Sequence, residues 1–343
     1  MPERSVMISV PCALCGSSEF KPYLVGRDRF LDRSPEYTIV RCCNCGFRYL
    51  SPRPDASEFD KHYPPDYPPY HWRLSKLSDK ASQGSFNRFK WRIDSWNLRR
   101  MGYPTQGASP PGWAGRWLAP LRRTKIQHII LPPHGRCRML DVGCGTGLFL
   151  YRHRDLGWET WGVEVSQAAA EVARRAGLRV ITGQIESADL PQGYFDLIIM
   201  MHVLEHLENP IGVLARLRPL LASGGHLVIE VPNADSWGLR FWGTYWFALE
   251  LPRHLSHFGR GDLERLAAVT GYRIVRYLTR FERDLHVTSL QYWLRERSWL
   301  PAALRKRELA RHFKLNQWFK PLLAFLARED AGDLLRVWLE PVP

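Results

Sequence analysis

The sequence predicts an α/β protein: a doubly wound, seven-stranded, largely parallel sheet preceded by a small four-cysteine module. Three observations predict it. From Met139 onward, short apolar strands alternate with helical stretches. The first of these strands runs into Asp141-Val142-Gly143-Cys144-Gly145-Thr146-Gly147, an acid followed by glycines at alternate positions. Near the amino terminus, two C-x-x-C-G knuckles stand 26 residues apart.

The knuckles come first along the chain. Cys12 and Cys15 are answered by Cys42 and Cys45, with a glycine after the second cysteine of each pair. Four thiolates at this spacing suit a tetrahedral zinc, and a shell filled by cysteine leaves no open position, so the metal is expected to be structural. Cys43 is left over. This zinc ribbon is expected to occupy residues 1–60. Residues 61–137 form a basic, aromatic bridge or lid. In it, Phe86, Phe89, Ile93 and Trp96 recur at helical spacing, a glycine- and proline-rich loop covers 102–115, and Trp117–Leu131 reads as a second helix.

The core is expected over 138–280. Strands are read at 139–142, 159–165, 178–182, 195–201 and 224–233, then a helix at 262–270 and a strand at 272–278. Residues 281–343 are read as a helical extension completing the core. The glycine spacing excludes two nucleotide cradles. A dinucleotide turn would need glycine where Leu148 stands, and a P-loop would need a lysine. An acid two residues before the first glycine suits a ligand that offers an amine rather than a phosphate. Glu164 follows 23 positions later, at a strand tip, where a carboxylate takes both hydroxyls of a ribose.

These motifs in this order (LDVGCGTG, VEVS, FDLIIMMHVLEHLENP and the glycine-led fifth strand) resemble the class I S-adenosylmethionine (SAM)-dependent methyltransferases, with a core similar to that of ubiquinone methyltransferases. A zinc ribbon ahead of such a core resembles a bacterial methyltransferase subgroup. The resemblance implies a Rossmann-like sheet that binds SAM. It implies that Asp141, Gly143, Cys144, Gly145 and Gly147 face the methionine part, that Glu164 holds the ribose, and that Gln184 and Ile185 flank the adenine, with Met201 at the end of the fourth strand also in the site. Many relatives carry aspartate where this chain has Gln184; a carboxamide oxygen still accepts from the adenine amine.

The insertion after the fifth strand, from Trp237 to Phe258, is rich in aromatics and ends on Arg253-His254 and His257. Such segments lie at the carboxyl edge of open α/β sheets, where ligands bind. A neutral histidine there could take a proton from an acceptor hydroxyl, and we expect His254 first and His206 second as that base. His202-Val203-Leu204-Glu205-His206 also matches the H-x-x-E-H spacing of zinc peptidases. Its place directly after the fourth strand of a SAM-type sheet argues against that chemistry. The expected reaction is methyl transfer to a hydroxyl, or an acidic carbon, of a small-molecule, glycan or lipid-linked acceptor; the alternatives are a nucleic-acid methyltransferase and a non-catalytic SAM-binding interaction protein.

The net charge of +14 is concentrated. Residues 70–138 hold 14 Lys and Arg against two Asp and Glu, whereas residues 1–69 balance at nine each. Such a segment suits a lid, an anionic membrane surface or, as a less favoured alternative, nucleic acid. No run is apolar enough to span a bilayer and no signal peptide is read. Seven cysteines in this setting fit a reducing compartment, so a cytoplasmic protein, with or without peripheral membrane contact, is expected.

Overall fold

The computed structural model describes residues 6–64, 74, 85–100, 110–118, 137–302 and 331–342. The second bridge helix expected over 117–131 lies almost wholly outside these residues. In chain order the strands are β1 (Met7–Ile8), β2 (Phe20–Asp28), β3 (Arg33–Cys42), β4 (Arg48–Leu50), β5 (Arg53–Pro54), β6 (Arg138–Val142), β7 (Glu159–Glu164), β8 (Arg179–Thr182), β9 (Phe195–Met201), β10 (Leu221–Pro232), β11 (Ser256–His257), β12 (Tyr272–Arg280) and β13 (Leu334–Pro341). The helices are α1 (Ser85–Arg100), α2 (Trp113–Leu118), α3 (Leu148–Arg154), α4 (Gln167–Arg175), α5 (Pro210–Leu217), α6 (Trp237–Trp242), α7 (Arg260–Val269) and α8 (Arg283–Arg295).

Seven strands form one sheet in the order β12-β13-β10-β9-β6-β7-β8. The β6–β7 and β7–β8 pairs are parallel and the β12–β13 edge pair is antiparallel. This is the doubly wound, Rossmann-like sheet that the alternating pattern predicts. One of its strands was misread. Residues 334–341, expected within a helical extension, supply β13, whose residues 334–337 are all buried. Burial on both faces erases the alternation that marks a half-exposed strand.

The chain divides into two compact units that do not follow the sequential boundaries at 60, 137 and 280. One comprises residues 65–199 and 219–227. In it, α3 starts on Gly147 in a left-handed conformation (φ 83°), where an added Cβ would come within 2.5 Å of Leu178 Cδ1. The helix α4 is capped by Ser166, whose Oγ accepts from the Ala169 amide, and it buries Ala169, Ala170 and Ala173. Small residues on that face let the helix approach the sheet closely.

The other unit comprises residues 1–64, 200–218 and 228–343. Here the four-cysteine module is not a separate bead. Its strands form a four-stranded sheet in the order β11-β4-β3-β2, so the insertion after β10 contributes an edge strand. Tyr37, Ile39 and Leu50 of the module share an apolar core with Leu239, Trp246, Leu249, Leu251 and Leu255 of the insertion. A buried ion pair fastens the two: both terminal nitrogens of Arg253 donate to Asp28 at 3.0 Å, and Arg253 Nε donates to Glu250 at 3.1 Å. Asp28 also accepts from the Phe30 and Leu31 amides, so its carboxylate is well satisfied.

Candidate functional site

The glycine turn lies at the tip of β6. Gly143, Gly145 and Gly147 all have positive φ (71°, 54° and 83°), which a side chain would strain. The Gly143 and Cys144 amides donate to Val163 O at 2.8 and 3.1 Å, which ties the turn to β7. An added Cβ at Gly162 would fall 2.6 Å from Cys144 Sγ, so the Cys144 thiol fills the space against β7 and is a packing group rather than an exposed one. Ile185 is buried and Gln184 exposed, just past Gly183 at the end of β8. Met201, the last residue of β9, is part-exposed.

Two carboxylates dominate this cradle. Asp141 is 2 % and Glu164 6 % exposed, and neither forms an ion pair with a basic side chain among the described residues. Glu164 accepts from the Gly145 amide at 2.7 Å and from the Ser166 amide at 2.8 Å, one bond to each oxygen. A carboxylate accepts about four hydrogen bonds, so each oxygen keeps one acceptor position. Burial raises the Glu164 carboxyl, against the opposing pull of its backbone donors. Burial, and then repulsion by Glu164, hold the Asp141 carboxyl well above the usual range. A cationic ligand bearing hydroxyls removes both penalties, and SAM, a sulfonium and an ammonium on a nucleoside, fits this donor set.

In the other unit, a second constellation gathers around Glu205. A 3-10 turn, Leu204–His206, follows β9, so the H-x-x-E-H residues do not share one helical face. Glu205 is 1 % exposed and, among the described residues, neither of its oxygens has a hydrogen-bond partner in good geometry. His254 Nδ1 lies 2.9 Å from Ala248 O, so that nitrogen carries the proton and Nε2 is bare in the neutral ring. Nε2 stands 3.5 Å from Glu250 and 3.9 Å from Glu205. His206 packs edge-on to His254 at 4.6 Å, and its Nδ1 meets Tyr63 Oη at 2.8 Å and Arg253 O at 3.0 Å. Donor atoms of Glu205, His206 and His254 all lie within 4.8 Å of one another, close enough to share one proton or one cation. The two histidines expected as bases are therefore together, but His254 is only 4 % exposed while His206 is the more open. Burial, and then the neighbouring rings His206 and His257, lower His254 well below the usual imidazole value.

His202, which the sequence did not single out as functional, adopts a left-handed backbone (φ 58°) directly after β9. Its two ring nitrogens face carboxylates, Nδ1 at 3.5 Å from Glu205 and Nε2 at 3.5 Å from Glu230. Only an imidazolium can present a proton to each. The two carboxylates raise its pKa to about 10. Glu230 is held in turn by Arg336 at 2.8 Å. H-x-x-E-H spacing was the available signal for His202, but the partner on β10 was not visible in it.

The four cysteines of the module converge. Sγ of Cys12 lies 3.5 Å from that of Cys45, and Cys15 from Cys42 likewise, with all four within 4.8 Å. Zinc–sulfur bonds of about 2.3 Å in a tetrahedron require sulfur–sulfur edges of about 3.8 Å, so the set fits that ion. Gly16 and Gly46 (φ 72° and 79°) close each knuckle, with their amides donating to Cys12 O and Cys42 O. Cys43 is exposed and outside the cluster.

The family model described as "Methyltransferase domain" matches residues 104–277. Among curated proteins, the chain is 32% identical over 141 residues to a ubiquinone biosynthesis O-methyltransferase of Alkalilimnicola ehrlichii, covering 36% of this chain and 57% of that protein. It is 27% identical over 216 residues to the protein of the same description in Thiobacillus denitrificans, covering 53% and 93%. A solved SAM-dependent methyltransferase from Archaeoglobus fulgidus aligns with 64% of this chain and 93% of its own, at 19% identity and a TM-score of 0.43. With half of its length matched by that model and its glycine turn and acidic pair in place, the chain belongs to the methyltransferase-domain family of SAM-dependent enzymes.

Proposed function

We propose that the protein transfers the methyl group of SAM to a hydroxyl of a small-molecule acceptor. The observation that carries this reading is the pair of buried carboxylates at the glycine turn, neither paired with a cation among the described residues. Bound SAM supplies an electrophilic methyl on a sulfonium. Around it, Asp141 would hold the ammonium, Glu164 would accept the ribose hydroxyls at the oxygen positions its backbone donors leave open, and Gln184 would accept from the adenine amine beside Ile185. Gly143, Gly145 and Gly147 bring the backbone close. The sulfonium is a strong leaving group, so alignment and exclusion of water are the main contributions of the protein.

Transfer to a neutral hydroxyl also needs a proton acceptor. The bare Nε2 of His254 is suited to this, with His206 as the more open partner and the Glu205 and Glu250 carboxylates placed to stabilise the imidazolium that results. The curated relatives are described as O-methyltransferases, which supports an oxygen acceptor. Cys12, Cys15, Cys42 and Cys45 would hold a structural zinc, bracing the module that carries Asp28 and Tyr63.

Calorimetry and radiolabel transfer test the reading. S-adenosylhomocysteine should bind in the micromolar range, a usual scale for cofactor sites. Labelled methyl should pass from SAM to a catechol-type acceptor, and His254→Ala should slow that step by ~10²-fold or more. Absence of cofactor binding by the folded chain overturns the proposal.

A further inference from the structure

We propose that the segment carrying α1 and α2 docks on an anionic lipid surface. Residues 70–138 concentrate 14 of the 48 Lys and Arg against two acids, while residues 139–279 hold 13 against 15. The positive charge is therefore local. The structure shows what accompanies it. Gly115 faces α1, since a Cβ there would lie 3.5 Å from Phe89 Cε2 and 3.6 Å from Ile93 Cγ1. Ile93 and Leu98 of α1 are buried. At 100° per residue, Trp113 and Trp117 lie within about 40° of each other and on the side of α2 opposite Gly115. They are 80 % and 79 % exposed, the most exposed large apolar side chains among the described residues. Arg116, beside them, places its guanidinium 5.0 Å from the Trp96 ring centroid.

Two indoles project from one face of α2, and Arg88, Arg100 and Arg116 of the same segment are exposed, a combination that matches the demands of a membrane interface. Indole is apolar in its body and donates one hydrogen bond at its edge, so it settles at headgroup depth, and the cations are drawn to acidic lipids. Single-stranded nucleic acid calls for aromatics lining a groove that tracks a backbone. Here the indoles stand on the outer side of a short helix. No described helix is long and apolar enough to cross a bilayer, so the contact proposed is peripheral.

The full-length chain should co-sediment with phosphatidylcholine vesicles containing 30 mol% phosphatidylglycerol (about a third anionic lipid, a composition chosen to give a strong surface field). Retention on phosphatidylcholine alone should be at least tenfold weaker, and raised salt should release the protein. Trp113→Ala/Trp117→Ala should weaken retention at least tenfold while leaving S-adenosylhomocysteine affinity unchanged, which shows that the variant is folded. Arg88→Glu/Arg100→Glu should do the same. Equal retention on neutral and anionic vesicles, or undiminished retention of the tryptophan variant, overturns the proposal. So does binding of a poly(U) strand more tightly than vesicles, with the same tryptophan dependence.

Discussion

Glu164 spends one position of each carboxylate oxygen on the glycine turn and on Ser166, and keeps the rest for a ligand. Two roles on one side chain make a sharp test. Glu164→Ala should weaken S-adenosylhomocysteine at least tenfold by calorimetry, because two hydrogen bonds to a charged acceptor are worth ~1.5–3 kcal/mol each. Glu164→Gln, which keeps the volume, should recover part of the melting temperature but little of the affinity. His257 offers a test through pH. Burial, and then Arg48, push its pKa down to about 3, and its Nε2 has no hydrogen-bond partner. An unfolded imidazole titrates near about 6.5. Between those values the unfolded chain binds the extra proton, so the stability tied to neutral His257 is full above the unfolded value and is lost as pH falls toward 3. Its contribution to the slope is about 1.4 kcal/mol per pH unit. Denaturant midpoints measured from pH 7 to pH 5 should fall, and His257→Gln should flatten that fall; an identical slope in the variant would show that other groups control it.

At the level of elements, the lock between β2 and the insertion decides whether the histidine pair is held. Arg253 is fully buried with Asp28 as its bidentate partner, and its carbonyl orients His206. Removing one member strands a buried charge at a cost of about 3–5 kcal/mol. Asp28→Ala should therefore lower the melting temperature strongly and slow methyl transfer, even though Asp28 is far along the chain from the core motifs. The glycine turn is tested at Gly147, whose φ of 83° and neighbour Leu178 leave no room for Cβ. Gly147→Ala should reduce both folded yield and cofactor affinity, read by thermal melts with and without S-adenosylhomocysteine. The strands from β6 to β10 were legible within a few residues because each is a short apolar run bounded by turn residues. By contrast, β13 was not legible: Leu334-Leu335-Arg336-Val337 places an arginine in a fully buried run, where it pairs with Glu230 on β10.

For the molecule as a whole, the amino-terminal module is part of a larger unit rather than an appendage. Tyr37, Ile39 and Leu50 share one apolar core with the insertion, and β11 extends the module's sheet. A chain beginning at residue 65 should accordingly be insoluble or lose its cooperative melt, whereas a detachable ribbon would leave the remainder folded. Metal release should act the same way. One equivalent of zinc is expected per chain, and its removal by chelator, or the Cys12→Ser/Cys15→Ser variant, should destabilise the unit that also carries His206 and His254. Atomic absorption with a parallel thermal melt measures both.

By itself the sequence determined the sheet, the cofactor cradle and the four-thiolate cluster. Each is written in residues close along the chain: a glycine turn, a strand-end acid, a pair of C-x-x-C knuckles. Their chemistry depends on backbone conformation and short spacing, which local sequence specifies. Only the tertiary structure decided that a buried Glu205 stands beside His254 and His206, that His202 faces one carboxylate from the turn after β9 and one from β10, that Arg253 reaches back to Asp28, and that the last strand carries a buried arginine held by Glu230. The contacts of Arg253 with Asp28, Arg336 with Glu230, His254 with Glu205 and His202 with Glu230 join residues dozens to more than two hundred positions apart. Their energies come from burial and from charges meeting out of water, and neither exists until the chain has folded.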